Sequence, residues 1–270
     1  MLADLRSAEF CGVHVDALSI ADIERLIAQA VEDACQVVIA NHNLHSMRVM
    51  STDQRMRLFY EQADWVHVDG MGIVAMARLL GRPLRPADRV TYVDLLAPLL
   101  EGAQRRGWRV AFLGWRPEVV ERARVVLAER YPTLEQFYHH GYFDPSPGSA
   151  EDDRVVDALN AFAPDVLLVG MGMPRQEHWI LDHRGVVHAR AILPAGACLD
   201  YVAGAVPTPP RVFGRTGLEW LYRLICEPRR LWRRYLVEPW FVASLLAREL
   251  ADHGVRRRGP GGADDTIAMS

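Results

Sequence analysis

The chain has 270 residues, of which 50% are hydrophobic and 24% are charged, and its formal net charge is -3 at pH 7. These fractions are ordinary for a soluble globular protein and exclude a disordered or low-complexity chain. All 31 basic residues are arginine, which excludes a Schiff-base or pyridoxal-phosphate lysine and a Walker A phosphate loop.

Short apolar runs alternate with segments of helical spacing through the first two-thirds of the chain. Because these runs do not alternate with polar residues, they are typical of strands that are covered on both faces. The alternation predicts an α/β fold with a Rossmann-like parallel-sheet core and helices on both faces. The six predicted strands are Gln36–Ala40, Trp65–Val68, Trp108–Leu113, Leu134–Tyr138, Val166–Val169 and Ala191–Pro194.

Polar residues and glycines follow four of these strands. In open parallel sheets a ligand binds beyond the carboxyl ends of the strands, so these residues are expected to face the ligand. Glycines there let backbone N–H groups approach a phosphate at a helix N-terminus. The segments are Asn41-His42-Asn43, Asp69-Gly70-Met71-Gly72, the run from Gly170 to Glu177 and the run from Ala195 to Asp200.

Several of these polar residues have two interpretations. Asp69 is either a turn or N-cap residue before glycine, or a general base that acts on a sugar hydroxyl. Gln176 and Glu177 are either first-turn helix residues favoured by the helix dipole or ligand-binding residues. His42 and His45 fit surface positions at a helix start. No spacing of His, Cys, Asp or Glu indicates a metal site.

The four cysteines form no C-x-x-C pair, which disfavours a zinc site or a disulfide framework and favours a reducing cytoplasm. The first ten residues contain three charged side chains, which is not typical of a signal peptide. No apolar run approaches the roughly 20 residues that a membrane-spanning helix needs. We therefore expect a cytoplasmic protein that does not cross a membrane.

The composition changes after about residue 201. The segment from Val206 to Pro210 breaks regular structure, and two or three helices are expected beyond it, separated before Pro228 and Pro239. Between residues 208 and 235, seven arginines and several aromatic residues accompany two glutamates. This pattern fits an anionic membrane surface, a nucleic acid, or an amphipathic helical pair packed on the core. The predicted segments are a core over 1–205, a helical appendage over 206–252 and a disordered tail over 253–270.

Several motifs occur in a specific order along nearly the whole chain. They are Asn43, Val68-Asp69-Gly70-Met71-Gly72, Arg89-Val90-Thr91 with Asp94, Phe112-Leu113-Gly114, the run G-M-G-M-P-R-Q-E from Gly170 to Glu177, and the run G-L-E-W-L-Y-R-L from Gly217 to Leu224, which continues into Glu227-Pro228-Arg229-Arg230. In these motifs the chain resembles the WecG/TagA/CpsF glycosyltransferases, which build bacterial surface polysaccharides.

The resemblance implies transfer of a sugar from a UDP-sugar to a sugar on a polyprenyl diphosphate lipid, with inversion and without a required metal or other cofactor. Asp69 matches the proposed catalytic base of the family. The predicted donor-binding residues are Asn41, Asn43, Gly70, Arg89, Asp94, Gly170, Gly172, Gln176 and Glu177. The C-terminal appendage is thought to complete the site and dock on the membrane. The residues predicted to bind the lipid diphosphate are Arg211, Arg215, Arg223, Arg229 and Arg230.

The predicted partners are therefore a UDP-sugar donor, a polyprenyl-diphosphate-linked acceptor and the anionic inner face of the plasma membrane, but no nucleic acid; a homo-oligomer is left open. With no lysine and no predicted metal, arginines such as Arg89 and helix N-termini are expected to stabilise the leaving diphosphate.

Three departures from the family pattern leave the donor sugar open between N-acetylmannosamine, its uronic acid, glucose and N-acetylglucosamine. They are Asn41 in place of a common Thr, Tyr92 in place of a usual Gly, and Thr208-Pro209-Pro210 in place of Arg-Ala-Pro. The sequence also leaves two other functions open. An NAD-dependent Rossmann oxidoreductase is disfavoured because Gly170-x-Gly172 lacks the third glycine of the dinucleotide fingerprint. A nucleic-acid-binding module would use the basic C-terminal segment.

Overall fold

One eight-stranded sheet forms the centre of the molecule, with the strand order β1-β2-β4-β3-β8-β7-β5-β6. The computed structural model describes residues 5–10, 12–208, 219–232, 236 and 238–257. The strands are β1 Ser7–Phe10, β2 Val13–Asp16, β3 Val37–His42, β4 Trp65–Val68, β5 Arg109–Gly114, β6 Glu135–His139, β7 Val166–Gly170 and β8 Ala191–Pro194.

All six predicted strands are present and parallel to their neighbours, as the sequence indicated. The chain leaves β4 on one side of β3 and enters β5 on the other side, so the carboxyl ends near the middle of the sheet surround a crevice. Two elements were not predicted. The four-residue strands β1 and β2 form an antiparallel hairpin, and β2 then joins β4 in parallel.

Helices cover both faces of the sheet, which confirms the predicted α/β class. The helices are α1 Ile20–Glu32, α2 Leu44–Met50, α3 Gln54–Gln62, α4 Met71–Leu79, α5 Tyr92–Arg106, α6 Pro117–Arg130, α7 Ala150–Phe162, α8 Arg175–His183, α9 Cys198–Val202, α10 Glu219–Cys226, α11 Pro228–Trp232 and α12 Glu238–Arg257, together with a 3₁₀ turn at Pro86–Asp88.

Side chains of the central strands alternate between two hydrophobic cores. In β3, for example, Val38 and Ala40 enter one core and Ile39 enters the other. The first core packs against α2, α3, α4, α7, α8 and α12, and the second packs against α1, α5, α6 and α9. This period-two alternation buries both faces of each strand, which explains why the apolar runs in the sequence were nearly continuous.

The C-terminal helices follow the core as predicted, with a break before Pro228 and a new helix beginning at Glu238. The α12 helix packs on α2: Val242 is buried in the first core, and the guanidinium of Arg48 lies 4.7 Å from the centre of the Phe241 ring. It continues to Arg257, into the segment predicted as a tail, whereas residues 258–270 lie outside the described part. No helix in the described ranges is both long and apolar enough to cross a membrane.

The ends of β5 and β7 approach each other very closely. Gly114 has φ +135°, and a Cβ there would overlap the backbone of Gly170. A Cβ on Gly170 would in turn overlap the indole of Trp115, which itself adopts a left-handed φ of 60°. Both glycines are therefore required by the close approach.

Candidate active site

A cleft of about 810 Å³ opens at the carboxyl edge of the sheet. Segments that follow β3, β4, β5, β7 and β8 line it, and Leu231 of α11 forms part of its wall. Of the predicted site residues, six line the cleft: Asn41, Asn43, Asp69, Gly170, Gly172 and Gln176. The cleft brings together residues that follow different strands and are up to 135 positions apart in the sequence, between Asn41 and Gln176.

Asp69 is half-buried at the end of β4, beside two asparagines of β3 and its loop. The side-chain amides of Asn41 and Asn43 both donate to Oδ2 of Asp69, each at 3.3 Å. In the described part of the chain no donor contacts Oδ1, the other carboxylate oxygen. Two amides therefore orient the carboxylate through one oxygen and leave the second able to accept a proton.

Glu177, which was predicted to bind the donor, does not line the cleft. It is fully buried behind the cleft wall, whereas its neighbour Gln176 lines the cleft. The Gln176 Nε2 donates to Glu177 Oε1 at 2.8 Å, and Gln176 Oε1 accepts from the Gly172 N–H at 3.1 Å. Burial raises the pKa of Glu177 to about 7. Glu177 therefore contacts the cleft only through the side-chain amide of Gln176, and the two neighbours differ in position because successive helix residues point in different directions.

Arg89, Asp94 and Gly70 lie beside the cleft rather than in its lining. Arg89 pairs with Asp94 at 3.4 Å, and Asp94 also accepts from the hydroxyl of Thr91 at 3.0 Å. Thr91 does line the cleft. The backbone of Arg89 forms an isolated β-bridge with Val68, the residue directly before Asp69. The cluster therefore lies beside the part of the cleft wall that contains Asp69.

Of the two histidines predicted at surface positions of a helix start, His45 lies in the first turn of α2 and is partly exposed, whereas His42 does not fit the prediction. His42 is fully buried because β3 continues two residues beyond its predicted end, and burial lowers its pKa to about 3. His45 lines the cleft.

Sequence reasoning missed several other residues of the lining. Arg116 follows β5 and Arg175 begins α8, and both reach the cleft. Trp115 and the exposed Tyr142 also line it. Arg175 and Asp200 lie in the two segments from Gly170 to Glu177 and from Ala195 to Asp200, which follow predicted strands. Their position after a strand is the sequence signal that could have identified them as cleft residues. Arg116 and Tyr142 follow strands whose ends had not been considered.

Five helices begin near this edge without a side-chain cap: α4, α5, α6, α8 and α9. By contrast, α1, α2, α3 and α7 are capped by Ser19, Asn43, Asp53 and Ser149. Free N–H groups and the positive end of the helix dipole favour an anion. The cleft therefore combines backbone donors with two arginines.

The predicted lipid-diphosphate arginines are described only in part. Arg211 and Arg215 lie outside the described residues. Arg223 belongs to α10 and Arg230 to α11, but only their helical positions are described. Arg229 is exposed on α11. Within the described ranges, no group of three His, Cys, Asp or Glu side chains has the arrangement of a metal site.

The mostly parallel sheet, with a polar cleft at its carboxyl edge that favours an anion, defines an α/β protein with a candidate ligand-binding cleft. The comparison with known families identifies it further. The chain belongs to the Glycosyl transferase WecG/TagA/CpsF family, whose model matches residues 8–255.

Curated relatives support this assignment. An N-acetylglucosaminyldiphosphoundecaprenol N-acetyl-beta-D-mannosaminyltransferase of Staphylococcus aureus strain NCTC 8325 / PS 47 is 34% identical over 197 residues, which are 73% of this chain and 74% of the relative. The protein of the same description in strain MRSA252 is 33% identical over the same shares of both chains.

Proposed function

We propose that this chain transfers a sugar from a UDP-sugar to a sugar linked to a polyprenyl diphosphate, in the biosynthesis of a bacterial cell-surface polysaccharide. The sugar is an N-acetylmannosamine-type residue or another hexose. The observation that carries the proposal is Asp69, whose Oδ2 accepts from Asn41 and Asn43 while Oδ1 has no donor in the described residues. Family membership supports a glycosyltransferase over the NAD-dependent alternative.

The reaction is a single displacement with inversion. Asp69 removes the proton of the acceptor hydroxyl as that oxygen bonds to the anomeric carbon, and the bond from this carbon to UDP breaks. The electron pair leaves with the diphosphate, and the proton remains on the carboxyl group of Asp69. A base that is oriented through one oxygen needs little reorganisation to use the other.

The diphosphate of UDP is held by arginine and backbone N–H groups. Arg116 and Arg175 line the cleft, where the uncapped starts of α6 and α8 also lie. Such donors stabilise negative charge as it develops on the leaving group. We therefore propose transfer without a bound metal or other cofactor, so turnover should persist after treatment with EDTA; strict metal dependence would contradict this part.

The acceptor class is proposed from the relatives. These relatives are named as N-acetylmannosaminyltransferases that act on N-acetylglucosaminyl diphosphoundecaprenol, and the matched region covers 73% of this chain. An acceptor on a long lipid must reach the cleft from a membrane. Leu231 belongs to the C-terminal helix α11 and forms part of the cleft wall. We therefore propose that the lipid approaches the cleft along the C-terminal helices.

We propose that the C-terminal helices dock the enzyme on the anionic inner face of the plasma membrane. Large apolar side chains are exposed there: Trp220, Ile225, Trp232, Leu236 and Trp240. The sequence of this region is rich in arginine, which suits anionic headgroups. Binding to vesicles with anionic lipid should weaken as salt rises, and RNA binding is not expected at physiological salt. In a homo-oligomer each further copy would contribute its own C-terminal helices as a docking surface. Sedimentation of the protein in solution would detect such an oligomer.

The test is a panel of UDP-sugars assayed against a synthetic polyprenyl-diphosphate sugar, with the wild-type chain and Asp69→Asn. We expect one donor to support turnover and Asp69→Asn to reduce it by at least about 100-fold, because an amide cannot accept the proton. UDP binding, measured by calorimetry, should remain. Near-normal turnover by Asp69→Asn would remove Asp69 as the base, and no transfer from any UDP-sugar would contradict the function.

A further inference from the structure

Asp69 is connected to a buried histidine through a short chain of hydrogen bonds. The carbonyl oxygen of His42 accepts from the Asp69 N–H at 2.8 Å. The Nδ1 of the same residue lies 2.8 Å from the hydroxyl oxygen of Ser46, which is itself fully buried on α2. His42 therefore contacts both the backbone of Asp69 and the start of the helix that carries its amide partner.

Ser46 fixes three of the four polar groups of Asn43. Its hydroxyl oxygen accepts from the Asn43 N–H at 3.0 Å and donates to the Asn43 carbonyl oxygen at 2.7 Å. Its own N–H donates to Asn43 Oδ1 at 3.0 Å. Only Nδ2 of Asn43 remains, and it donates to Asp69 Oδ2. A rotated amide would place Oδ1 against a carboxylate and lose the bond from Ser46.

The protonation of His42 follows from its surroundings. Burial lowers its pKa to about 3, so the ring is neutral at physiological pH and carries one N–H. Within the described residues Nε2 has no hydrogen-bond partner, and an N–H stranded there would cost about 1–3 kcal/mol. The proton is therefore on Nδ1 and donates to Ser46, whose own proton goes to Asn43. The chain of donors runs from His42 to Ser46 to Asn43.

We propose that His42 and Ser46 are positioning residues for the transfer reaction: through the Ser46 hydroxyl they fix the backbone of Asn43, and with it the position from which Asn43 Nδ2 holds Asp69 Oδ2 and leaves Oδ1 for the acceptor hydroxyl. This inference rests on the proposed function, in which Asp69 is the base. Neither residue needs to contact a substrate. Their loss should therefore lower kcat, because a displaced base reacts slowly, while donor binding stays close to normal.

The test compares Ser46 of α2 with Ser51, the residue that follows the last turn of the same helix, in the full-length chain. Ser46→Ala removes the hydroxyl that joins His42 to Asn43. The matched control is Ser51→Ala, because Ser51 also donates to the carbonyl three residues earlier, that of Arg48, at 2.6 Å. We expect Ser46→Ala to lower kcat at least about tenfold with the KM for the UDP-sugar within about twofold, and Ser51→Ala to leave both unchanged.

Two replacements of His42 separate positioning from simple packing. His42→Asn retains an N–H donor near the place of Nδ1, whereas His42→Phe fills the volume and cannot donate. We expect His42→Asn to retain most of kcat and His42→Phe to lose it. The stoichiometry of UDP binding, measured by calorimetry, gives the folded fraction of each variant.

The outcomes are distinct. Normal kcat in Ser46→Ala and His42→Phe would overturn the proposal, as would a loss of kcat that merely follows the loss of UDP sites. If the wild-type chain transfers no sugar, the proposed function fails instead, and this result is seen before any variant is compared.

Discussion

Glu177 is a carboxyl group with almost no access to water, and burial raises its pKa from the ordinary 4.5 to about 7. The folded protein therefore binds a proton more tightly at this site than the unfolded chain does. The resulting stability is fully present below about pH 4.5 and is lost as the pH rises through 7. At about 1.4 kcal/mol per pKa unit, ionisation costs the folded state roughly 3 kcal/mol.

We expect Glu177→Gln to match the wild type in stability near pH 5 and to exceed it by up to about 3 kcal/mol at pH 8. The neutral amide keeps an oxygen that accepts from Gln176 but has no charge to desolvate. Urea unfolding at the two pH values measures the difference. The control is Glu129→Gln on the exposed face of α6, which should show no pH-dependent gain. Equal stability of Glu177→Gln and the wild type at pH 8 would contradict the argument.

Arg116 offers a second prediction for a single side chain. It lines the cleft at the start of α6, where its charge and the helix N-terminus act on the same anion. Arg116→Gln should weaken UDP binding about tenfold, the effect of losing one charged hydrogen bond, and should leave uridine binding unchanged. Calorimetry measures both ligands. Arg122→Gln, on the exposed side of α6, is the matched control; an equal loss in that variant would mean that the effect is not local.

The residue-level predictions from sequence succeeded where a strand end alone decides the position. Asp69 and Asn43 directly follow strands, and both line the cleft. Glu177 could not be placed, because adjacent helix residues point about 100° apart and nothing in the sequence says which one faces the ligand. The sequence predicts a surface position for His42 because the apolar run of β3 ends at Ala40, whereas the strand continues for two more residues to His42.

At the level of elements, α12 has one face on the protein and one face in solvent. Phe241 and Val242 pack against the first core and α2, whereas the neighbouring Trp240 is 79% exposed. Asn43 caps the N-terminus of α2 and donates to Asp69. The packing of α12 on α2 therefore supports the helix whose cap contacts Asp69.

We expect Phe241→Ala and Trp240→Ala to affect different properties, the first the hydrogen exchange of α12 and α2 and the second the binding to vesicles. Phe241→Ala loses packing and the cation–π contact with Arg48, so amides of α12 and α2 should exchange hydrogen faster while the central strands do not change. Trp240→Ala should leave this exchange unchanged but weaken binding to anionic vesicles. Hydrogen exchange and vesicle sedimentation test the pair. Unchanged exchange in Phe241→Ala would show that α12 does not stabilise α2.

The elements that sequence reasoning missed are the two strands that lack a continuous apolar run. Strands β1 and β2 mix polar and apolar side chains over four residues each, so neither has the pattern of a strand covered on both faces. Most of the six predicted strands were found because burial on both faces gives nearly continuous apolar runs. The C-terminal breaks were found because proline constrains the residue before it, as at Pro228.

For the molecule as a whole, the cleft depends on both the sheet and the C-terminal helices. We expect a chain that lacks residues 209–270 to fold but to lose turnover and vesicle binding, because the cleft loses the wall at Leu231. Its Tm should fall by several degrees, since each lost kcal/mol corresponds to about 2–4 °C in a domain of this size.

A chain that lacks only residues 258–270 is the control, because these lie beyond the end of α12. Thermal unfolding, turnover and vesicle sedimentation should all resemble the wild type in this control. Full turnover of the longer truncation on a lipid-linked acceptor would contradict a role for the appendage in the cleft.

The close approach of β5 and β7 also constrains how this sequence can change over evolutionary time. A Cβ at position 170 collides with the indole of Trp115, so a side chain at position 170 requires a smaller residue at position 115. A lineage must first shorten the side chain at 115 before alanine becomes tolerable at 170, and the reverse order passes through an unfavourable intermediate. In a double-mutant cycle, Gly170→Ala should therefore be far less harmful after Trp115→Gly than before it. At these paired strand ends, the order in which the two substitutions occur therefore decides whether the intermediate sequence is tolerated.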